Sequence, residues 1–485
     1  MTKELRRISI VLLAMFLVLF GSTSIIQVAQ AQNLAANPAD RRSLYDSYSI
    51  ERGAIIASGT AIASSVPSSD VYSWQRQYVD PQMWAPVTGY FNPVLGSSTG
   101  IENAMNQDLS GTGGSQFLAR LEQIISGKPA RGSNVVLTLD ASVQKAAYDA
   151  LGSLQGAVVA IEPSTGRILA MVTSPSYDTN SLAGHDATQV NTTYEQLVAQ
   201  AANPLYNRAI GGNLNPPGST FKLVTASAAL ATGNYTPQSL LPNVASYTLP
   251  GTSTSISNDT GGTCGPGDQV SIADALRLSC NIPMAELAAQ LGGETIRKEA
   301  EKYGFNTSFD LPITSTASVY PSNLSDTRAA LSGFGQGDVR ATPLQMAMVS
   351  AGIANGGVVM KPRMVDQVIG SDLSVQQTFG NEQFGQALDS TLDAEMVQMM
   401  VANVSSGIAT NARIDGVSVG GKTGTAQNGP TDPYTLWFTG FAPAENPKVA
   451  VAVVVENGGG RGQSGSGNSL AAPIAKKVME AVLGK

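Results

Sequence analysis

From Ile8 to Ala39 the chain carries no charged side chain, and Ile8–Ile26 is a mostly apolar run of nineteen residues. As a helix that run is roughly 28 Å long, close to the hydrocarbon thickness of a bilayer. Lys3, Arg6 and Arg7 precede it, and no basic residue follows until Arg41. This asymmetry keeps the N-terminus inside and sends the rest of the chain out. The expected layout therefore starts with a cytoplasmic segment at 1–7 and a transmembrane anchor at 8–26. A cleaved leader competes with it, because Ile10–Phe20 would serve as an apolar core and Ala29-Gln30-Ala31 as a cleavage site. Eleven residues separate Phe20 from Ala31, which is long for a cleavage region, so an uncleaved single-pass anchor is carried forward. Both readings place the remaining chain outside the cytoplasm, and the anchor carried forward holds it at the cell membrane.

That placement bounds the chemistry. The chain has 29 Lys and Arg against 36 Asp and Glu, a net charge of −7, with no basic block, which argues against a nucleic-acid partner. Apolar residues make up 42%, enough for a large core. His185 is the single histidine, and Cys264 and Cys280 are the only cysteines. No metal site and no cofactor are expected, and a Ser-His-Asp triad could be built only on His185, which lies in a loop. A hydrolase or transferase here needs another base.

The 485 residues suit two or three domains. Residues 35–133 hold short apolar runs (Ala54-Ile55-Ile56, Val71-Tyr72, Tyr90-Phe91) without sustained helical period. They read as a small, irregular, strand-rich domain closing at the turn-forming Ser126-Gly127-Lys128-Pro129. Residues 134–485 differ. Val135–Leu139 is strand-like and Ser142–Leu151 helical, and Ala157–Ile161 and Ile168–Val172 form a hairpin through Pro163-Ser164-Thr165-Gly166. Trp437–Phe441 and Val449–Val455 are strands, and Leu470–Leu483 closes the chain as an amphipathic helix. Helices such as Leu223–Ala231 and Ile272–Leu278 lie between. An antiparallel sheet built from both ends of the domain, with a helical block inserted, fits this order.

Pro216-Pro217-Gly218-Ser219-Thr220-Phe221-Lys222 opens a helical run. Prolines fix a helix start, and a serine in its first turn sits among unpaired backbone N–H groups. Spacing of three puts Lys222 on the face of Ser219. Burial and a second cation nearby would lower a lysine far enough to take the serine proton. Ser142-Val143-Gln144-Lys145 matches the same pattern and reads as an ordinary exposed helix turn. Ser279-Cys280-Asn281 and Ser466-Gly467-Asn468 are both Ser-x-Asn, and Lys422-Thr423-Gly424-Thr425 occurs once. Only Ser219, Ser279 and Lys422 fall in the order Ser-x-x-Lys, Ser-x-Asn, Lys-Thr-Gly with about sixty residues between the first two. Gly458–Gly467 resembles a phosphate loop, but too little chain follows for a dinucleotide fold, and a flexible loop beside the site strand is expected instead.

Together the three motifs resemble the set of penicillin-binding proteins and serine β-lactamases. Gly335-Gln336-Gly337 with Thr342-Pro343, Ala354-Asn355-Gly356-Gly357 and Trp437-Phe438-Thr439-Gly440-Phe441-Ala442-Pro443 resemble the class B transpeptidases, and in particular their actinobacterial A-type branch. Upstream, Arg52-Gly53 and the Gly100, Glu102, Leu109, Gly111 pattern look like that class's non-catalytic pedestal, although the Asp-Arg-Asn-Gly run that often follows Arg-Gly is absent. The resemblance implies an α/β penicillin-binding transpeptidase fold with a five-stranded antiparallel sheet, a strand-rich pedestal and a transmembrane helix. It implies Ser219 as nucleophile toward the D-Ala-D-Ala carbonyl of a peptidoglycan stem peptide and Lys222 as base. Ser279, positioned with Lys422, relays a proton, while Asn281 holds the substrate amide and contacts Lys222. Thr423, Gly424 and Thr425 lie on the edge strand that binds the donor, and the N–H groups of Ser219 and Thr425 form the oxyanion hole. The implied partners are the donor and amine-acceptor stems, β-lactams and, since no glycosyltransferase region precedes residue 134, a separate glycan polymerase. A D,D-carboxypeptidase or β-lactamase of the same fold is the alternative, and a non-catalytic scaffold or β-lactam sensor the third. An even cysteine count in an oxidising compartment points to a Cys264–Cys280 disulfide.

Overall fold

The chain is described here from a computed structural model covering residues 2–26, 49–70, 72–92, 94–112, 131–212, 214–259 and 261–485. Ala29-Gln30-Ala31, the expected domain start at residue 35 and the Ser126–Pro129 turn lie outside the described residues. Helix α1 (Thr2–Ser24) leaves its large apolar side chains exposed, and Lys3–Ser24 is long and apolar enough to cross a membrane by length and composition.

Strands β1 (Ile55–Ala57) and β2 (Thr60–Pro67) form a hairpin through Ser58-Gly59, both at positive φ, and β3 (Trp74–Tyr78) pairs antiparallel with β2. The region is not strands alone. Pro81–Thr88 and Gly100–Ala104 are helices. The first escapes a periodicity argument because Pro81 starts it, Pro86 interrupts it and six of its eight residues are buried, so no polar face marks it.

The next strand, β4 (Asn134–Leu137), runs parallel to β1, with Ile55 opposite Val135. After it come α2 (Ala141–Leu151), β5 (Gly156–Ile161) and β6 (Ile168–Ser174). The helical block includes α3 (Lys222–Ala231), α4 (Ile272–Arg277), α5 (Ile282–Leu291) and α6 (Pro343–Ala354). Strands β7 (Val365–Ile369) and β8 (Val375–Thr378) follow, then α7 (Ser390–Ser405), β9 (Gly420–Ala426), β10 (Thr435–Ala442), β11 (Val449–Val455) and α8 (Ala471–Leu483).

Two sheets result. The five-stranded antiparallel sheet has the order β9-β10-β11-β5-β6. Its central strand β11 is apolar throughout because both faces are covered. Val449, Val451, Val453 and Val455 join the cluster with α2 and α8, while Ala450, Ala452 and Val454 join the cluster containing α3 and α6. The second sheet has the order β8-β7-β4-β1-β2-β3. Strand β4 thus serves the N-terminal sheet, and the β7–β8 hairpin, some 230 residues further along, completes it.

Between the sheets and their loops, one carboxylate gathers the N-terminal region. Glu102, fully buried, accepts from Arg52 Nη2 at 2.8 Å, Arg76 Nε at 2.6 Å and the Tyr78 hydroxyl at 3.2 Å. Arg52 also lies 3.8 Å over the Phe91 ring. Burial works to raise the Glu102 carboxyl, but Arg76 and Arg52 beside it hold it below the usual range. Its stabilising contribution is therefore present above the ordinary carboxylate pKa and is lost as pH falls through the lower folded value. Glu102→Gln should cost about 3–5 kcal/mol by leaving two buried guanidinium groups without a counter-charge. Calorimetry at neutral pH should show a lower melting midpoint, with the gap to wild type closing in acid. Equal midpoints at neutral pH would contradict this account of the triad.

Candidate active site

Pro216 and Pro217 lead into a 3-10 turn at Gly218–Phe221 that continues as α3. Ser219 stands in that first turn, where backbone N–H groups lack partners within the helix. Close packing holds the turn in place. A β-carbon on Gly335 would sit 2.0 Å from Gly218 O, and one on Gly424 would sit 2.9 Å from Pro217 O, so only glycine lets these segments touch. Trp437 Nε1 donates to Pro216 O at 2.9 Å, tying β10 to the same turn.

Lys222 lies one turn after Ser219 and is fully buried. Its Nζ donates to Ser279 O at 2.7 Å, to Asn281 Oδ1 at 2.7 Å and to Ser279 Oγ at 3.3 Å. Lys422, on β9 and equally buried, donates to Ser279 Oγ at 2.7 Å and to Thr423 O at 2.8 Å. Ser279 Oγ thus lies between two ammonium groups. Its residue ends α4 with φ +59°, a left-handed conformation that serine adopts only when the surroundings impose it. The surroundings here are the Cys280 N–H on Ala275 O, the Asn403 amide on Leu276 O and Arg277 O, and the bond between Cys264 and Cys280.

Burial pushes Lys222 down to about 7, with the Asp259 carboxylate opposing. Burial also drives Lys422 well down, and here the Lys222 charge adds to it. The cation anticipated near the base therefore acts on Lys422, while desolvation alone lowers Lys222. Among the described residues neither lysine donates to Ser219, a looseness common before substrate arrives.

A cavity of about 810 Å³ opens over this centre. Ser219, Asn281 and Thr425 line it, together with Asn258, Asp259, Phe334, Gln336, Gln427, Tyr434, Gln463 and Ser466. Lys222, Ser279, Lys422, Thr423 and Gly424 are not among its lining residues. The Thr423 hydroxyl is buried without a partner, and Gly424 packs under the Pro217–Thr220 turn. The glycine-rich segment supplies a wall, with Gly467 N donating to Thr425 Oγ1 at 3.3 Å. Ser142 is on the surface of α2, capped by Asp140, with Lys145 paired to Asp149. His185 binds Asp70 at 2.6 Å, away from the cavity.

Sequence reasoning missed Asn258 and Asp259. Asn258 Oδ1 accepts from the N–H groups of Asn281 (2.9 Å) and Ile282 (3.0 Å), and Asp259 Oδ1 accepts from Asn281 Nδ2 at 2.8 Å. The one available signal was the cysteine pair, which brings the segment before Cys264 beside Asn281.

Residues 156–480 match the penicillin binding protein transpeptidase domain family, and residues 52–135 match the penicillin binding protein A dimerisation domain. The chain is 40% identical to the peptidoglycan D,D-transpeptidase PbpA of Mycolicibacterium smegmatis, over 100% of this chain and 99% of that relative. It is 38% identical to PbpA of Mycobacterium tuberculosis, with the same coverage. The ceftriaxone acyl-enzyme complex of penicillin-binding protein A from M. tuberculosis matches the fold with a TM-score of 0.87, at 38% identity, over 90% of this chain and 100% of that one.

If Lys222 takes the serine proton, acylation should follow its neutral fraction. The second-order rate with benzylpenicillin should rise about tenfold per unit below about pH 7 and level off above it. A flat profile between about pH 6 and pH 8 would remove Lys222 from the role of base.

Proposed function

The chain belongs to the class B penicillin-binding protein transpeptidases, and from that premise we propose that it cross-links peptidoglycan stem peptides through an acyl-enzyme on Ser219. The observation that carries the site assignment is Ser279 Oγ, 3.3 Å from Lys222 Nζ and 2.7 Å from Lys422 Nζ, beneath a cavity that opens on Ser219. Ser219 Oγ attacks the carbonyl carbon between the two terminal D-alanines as Lys222 accepts its proton. The N–H groups of Ser219 and Thr425 hold the developing oxyanion. Ser279, supplied by the two lysines, passes a proton to the departing nitrogen, the C–N bond breaks and D-alanine leaves. An amine of a neighbouring stem then opens the ester, forming the cross-link and returning a proton to Ser219 Oγ. β-Lactams acylate Ser219 by the same first step.

On this reading Thr423, Gly424 and Thr425 belong to the donor-binding strand, and Asn281 holds the donor amide. Residues 1–7 are cytoplasmic, 8–26 span the membrane once, 35–133 form a non-catalytic pedestal and 134–485 the catalytic domain outside the cytoplasm. A separate polymerase makes the glycan strands. The apolar length of α1 supports the anchor.

Fluorescent penicillin applied to the full-length protein in detergent tests the site. Ser219→Ala should abolish labelling, Lys222→Ala should suppress it, and Ser142→Ala should leave it nearly unchanged. Labelling that survives Ser219→Ala would overturn the assignment. Rapid turnover of the penicillin would make the protein a β-lactamase with the same residues. Depletion in cells should lower the fraction of cross-linked muropeptides, whereas a loss of trimmed stems with cross-linking intact would mean a carboxypeptidase.

A further inference from the structure

The cavity over Ser219 has a charge pattern that the catalytic scheme leaves unused. Among the described residues lining it, Asp259 is the only charged side chain. Lys222 and Lys422 are buried under the floor with their ammonium groups bonded to Ser279. A substrate entering the cavity therefore meets one formal charge on its walls, and that charge is negative. Its position is fixed from both sides. Asn258, nearly fully buried, holds the backbone of Asn281 and Ile282 with its side chain. The loop carrying Asp259 is covalently closed five residues later by the Cys264–Cys280 bond, whose second half is the residue between Ser279 and Asn281. Asp259 uses Oδ1 to accept from Asn281 Nδ2 and stays exposed to the cavity. A carboxylate offers about four lone-pair sites, so it retains capacity for a further donor.

The geometry points to Asp259 as the acceptor-recognition residue: its carboxylate receives the ammonium of the amine that opens the Ser219 acyl-enzyme. This rests on the transpeptidase reading above and extends it to the second substrate. A lysine-type amine is protonated near neutral pH, since its ordinary pKa is about 10.4. It must come to the ester as a cation and attack as a free base. The carboxylate serves the first need: the R–NH3+ group pairs with Asp259 on arrival. Pairing favours the charged form, so the nitrogen gives one proton to solvent as it leaves Asp259 for the ester. The nitrogen lone pair then attacks the ester carbonyl. Of the two protons left, one goes to Ser219 Oγ as the C–O bond breaks and one stays on the new amide nitrogen.

The test separates acceptor from donor chemistry in the full-length protein in detergent. An N-benzoyl-D-alanyl thioester serves as donor, with either Nα-acetyl-lysine amide, a cation, or methanol, a neutral nucleophile, as acceptor. For Asp259→Asn, which keeps an acceptor for Asn281 Nδ2, the concentration of lysine amide giving half-maximal aminolysis should rise about fivefold to tenfold, the size expected for losing a charge-assisted contact. Acylation by thioester and by fluorescent penicillin should change by no more than about threefold, and the methanolysis-to-hydrolysis ratio should stay at the wild-type value. Asp259→Glu should recover most of the lysine-amide preference. Equal losses with lysine amide and methanol, or an unaltered response to lysine amide, would overturn the assignment. Failure of the wild-type protein to acylate at all would instead overturn the transpeptidase reading, and a loss of penicillin labelling confined to Asp259→Asn would make Asp259 a positioning residue for Asn281.

Discussion

Ser279 Oγ receives a hydrogen bond from Lys422 at 2.7 Å and a longer one from Lys222 at 3.3 Å, and it keeps a proton of its own to pass on. Holding two ammonium groups on one hydroxyl is costly, because each ion removed from water loses several kcal/mol of solvation. The protein offsets part of this with carbonyl oxygens, Ser279 O and Asn281 Oδ1 for Lys222 and Thr423 O for Lys422. Among the described residues no buried carboxylate forms an ion pair with either lysine. On the proposed mechanism Lys222 serves as base, and a full counter-ion would keep it charged, whereas burial among neutral acceptors brings it down to about 7. The same arrangement thus accounts for the expense and for the reactivity.

This geometry needs three segments that are far apart in sequence to meet with little slack. The meeting is arranged by close backbone packing, with Gly335 against Gly218 and Gly424 against Pro217, and by the anchoring of the Ser279 turn in its left-handed conformation. The Cys264–Cys280 bond, the Asn403 amide and Asn258 each grip that turn from a different element. Local strain of this kind persists where the surroundings over-determine it.

The grouping of side chains at the site was more legible than the architecture that carries it. That Ser219, Lys222, Ser279, Asn281 and Lys422 come together could be anticipated because motif order and spacing are properties of the sequence alone. Strands β5, β6, β10 and β11 could be read because a sheet buried on both faces demands continuous apolar runs bounded by turns. The completion of the N-terminal sheet by β7 and β8 could not. Pairing between Val368 and Val135 depends on where distant segments end up, and nothing in Val365–Thr378 itself specifies the partner. The helix at Pro81–Thr88 was hidden by burial on nearly all sides, and Asp259 by its placement in a loop with no motif.

The two edges of the five-stranded sheet are finished differently. Strand β6 ends the sheet on one side, and its outward backbone groups are answered by the protein itself. The buried Gln144 amide both donates to Met171 O (2.8 Å) and accepts from Met171 N (2.8 Å), imitating a neighbouring strand. Asp140 N donates to Leu169 O, and Ile168 N donates to Arg363 O. Strand β9 ends the sheet on the other side, at the cavity, with Thr425 facing the open space. An uncovered strand edge is a liability that proteins ordinarily blunt. Strand β9 is buried at every residue but the half-exposed Thr425, and Lys422 Nζ bonds its Thr423 O, so on the proposed reading an extended donor peptide would add to this strand at Thr425, by the strand addition common in peptide recognition. On that reading such a peptide would run past Ser219, which lines the same cavity as Thr425.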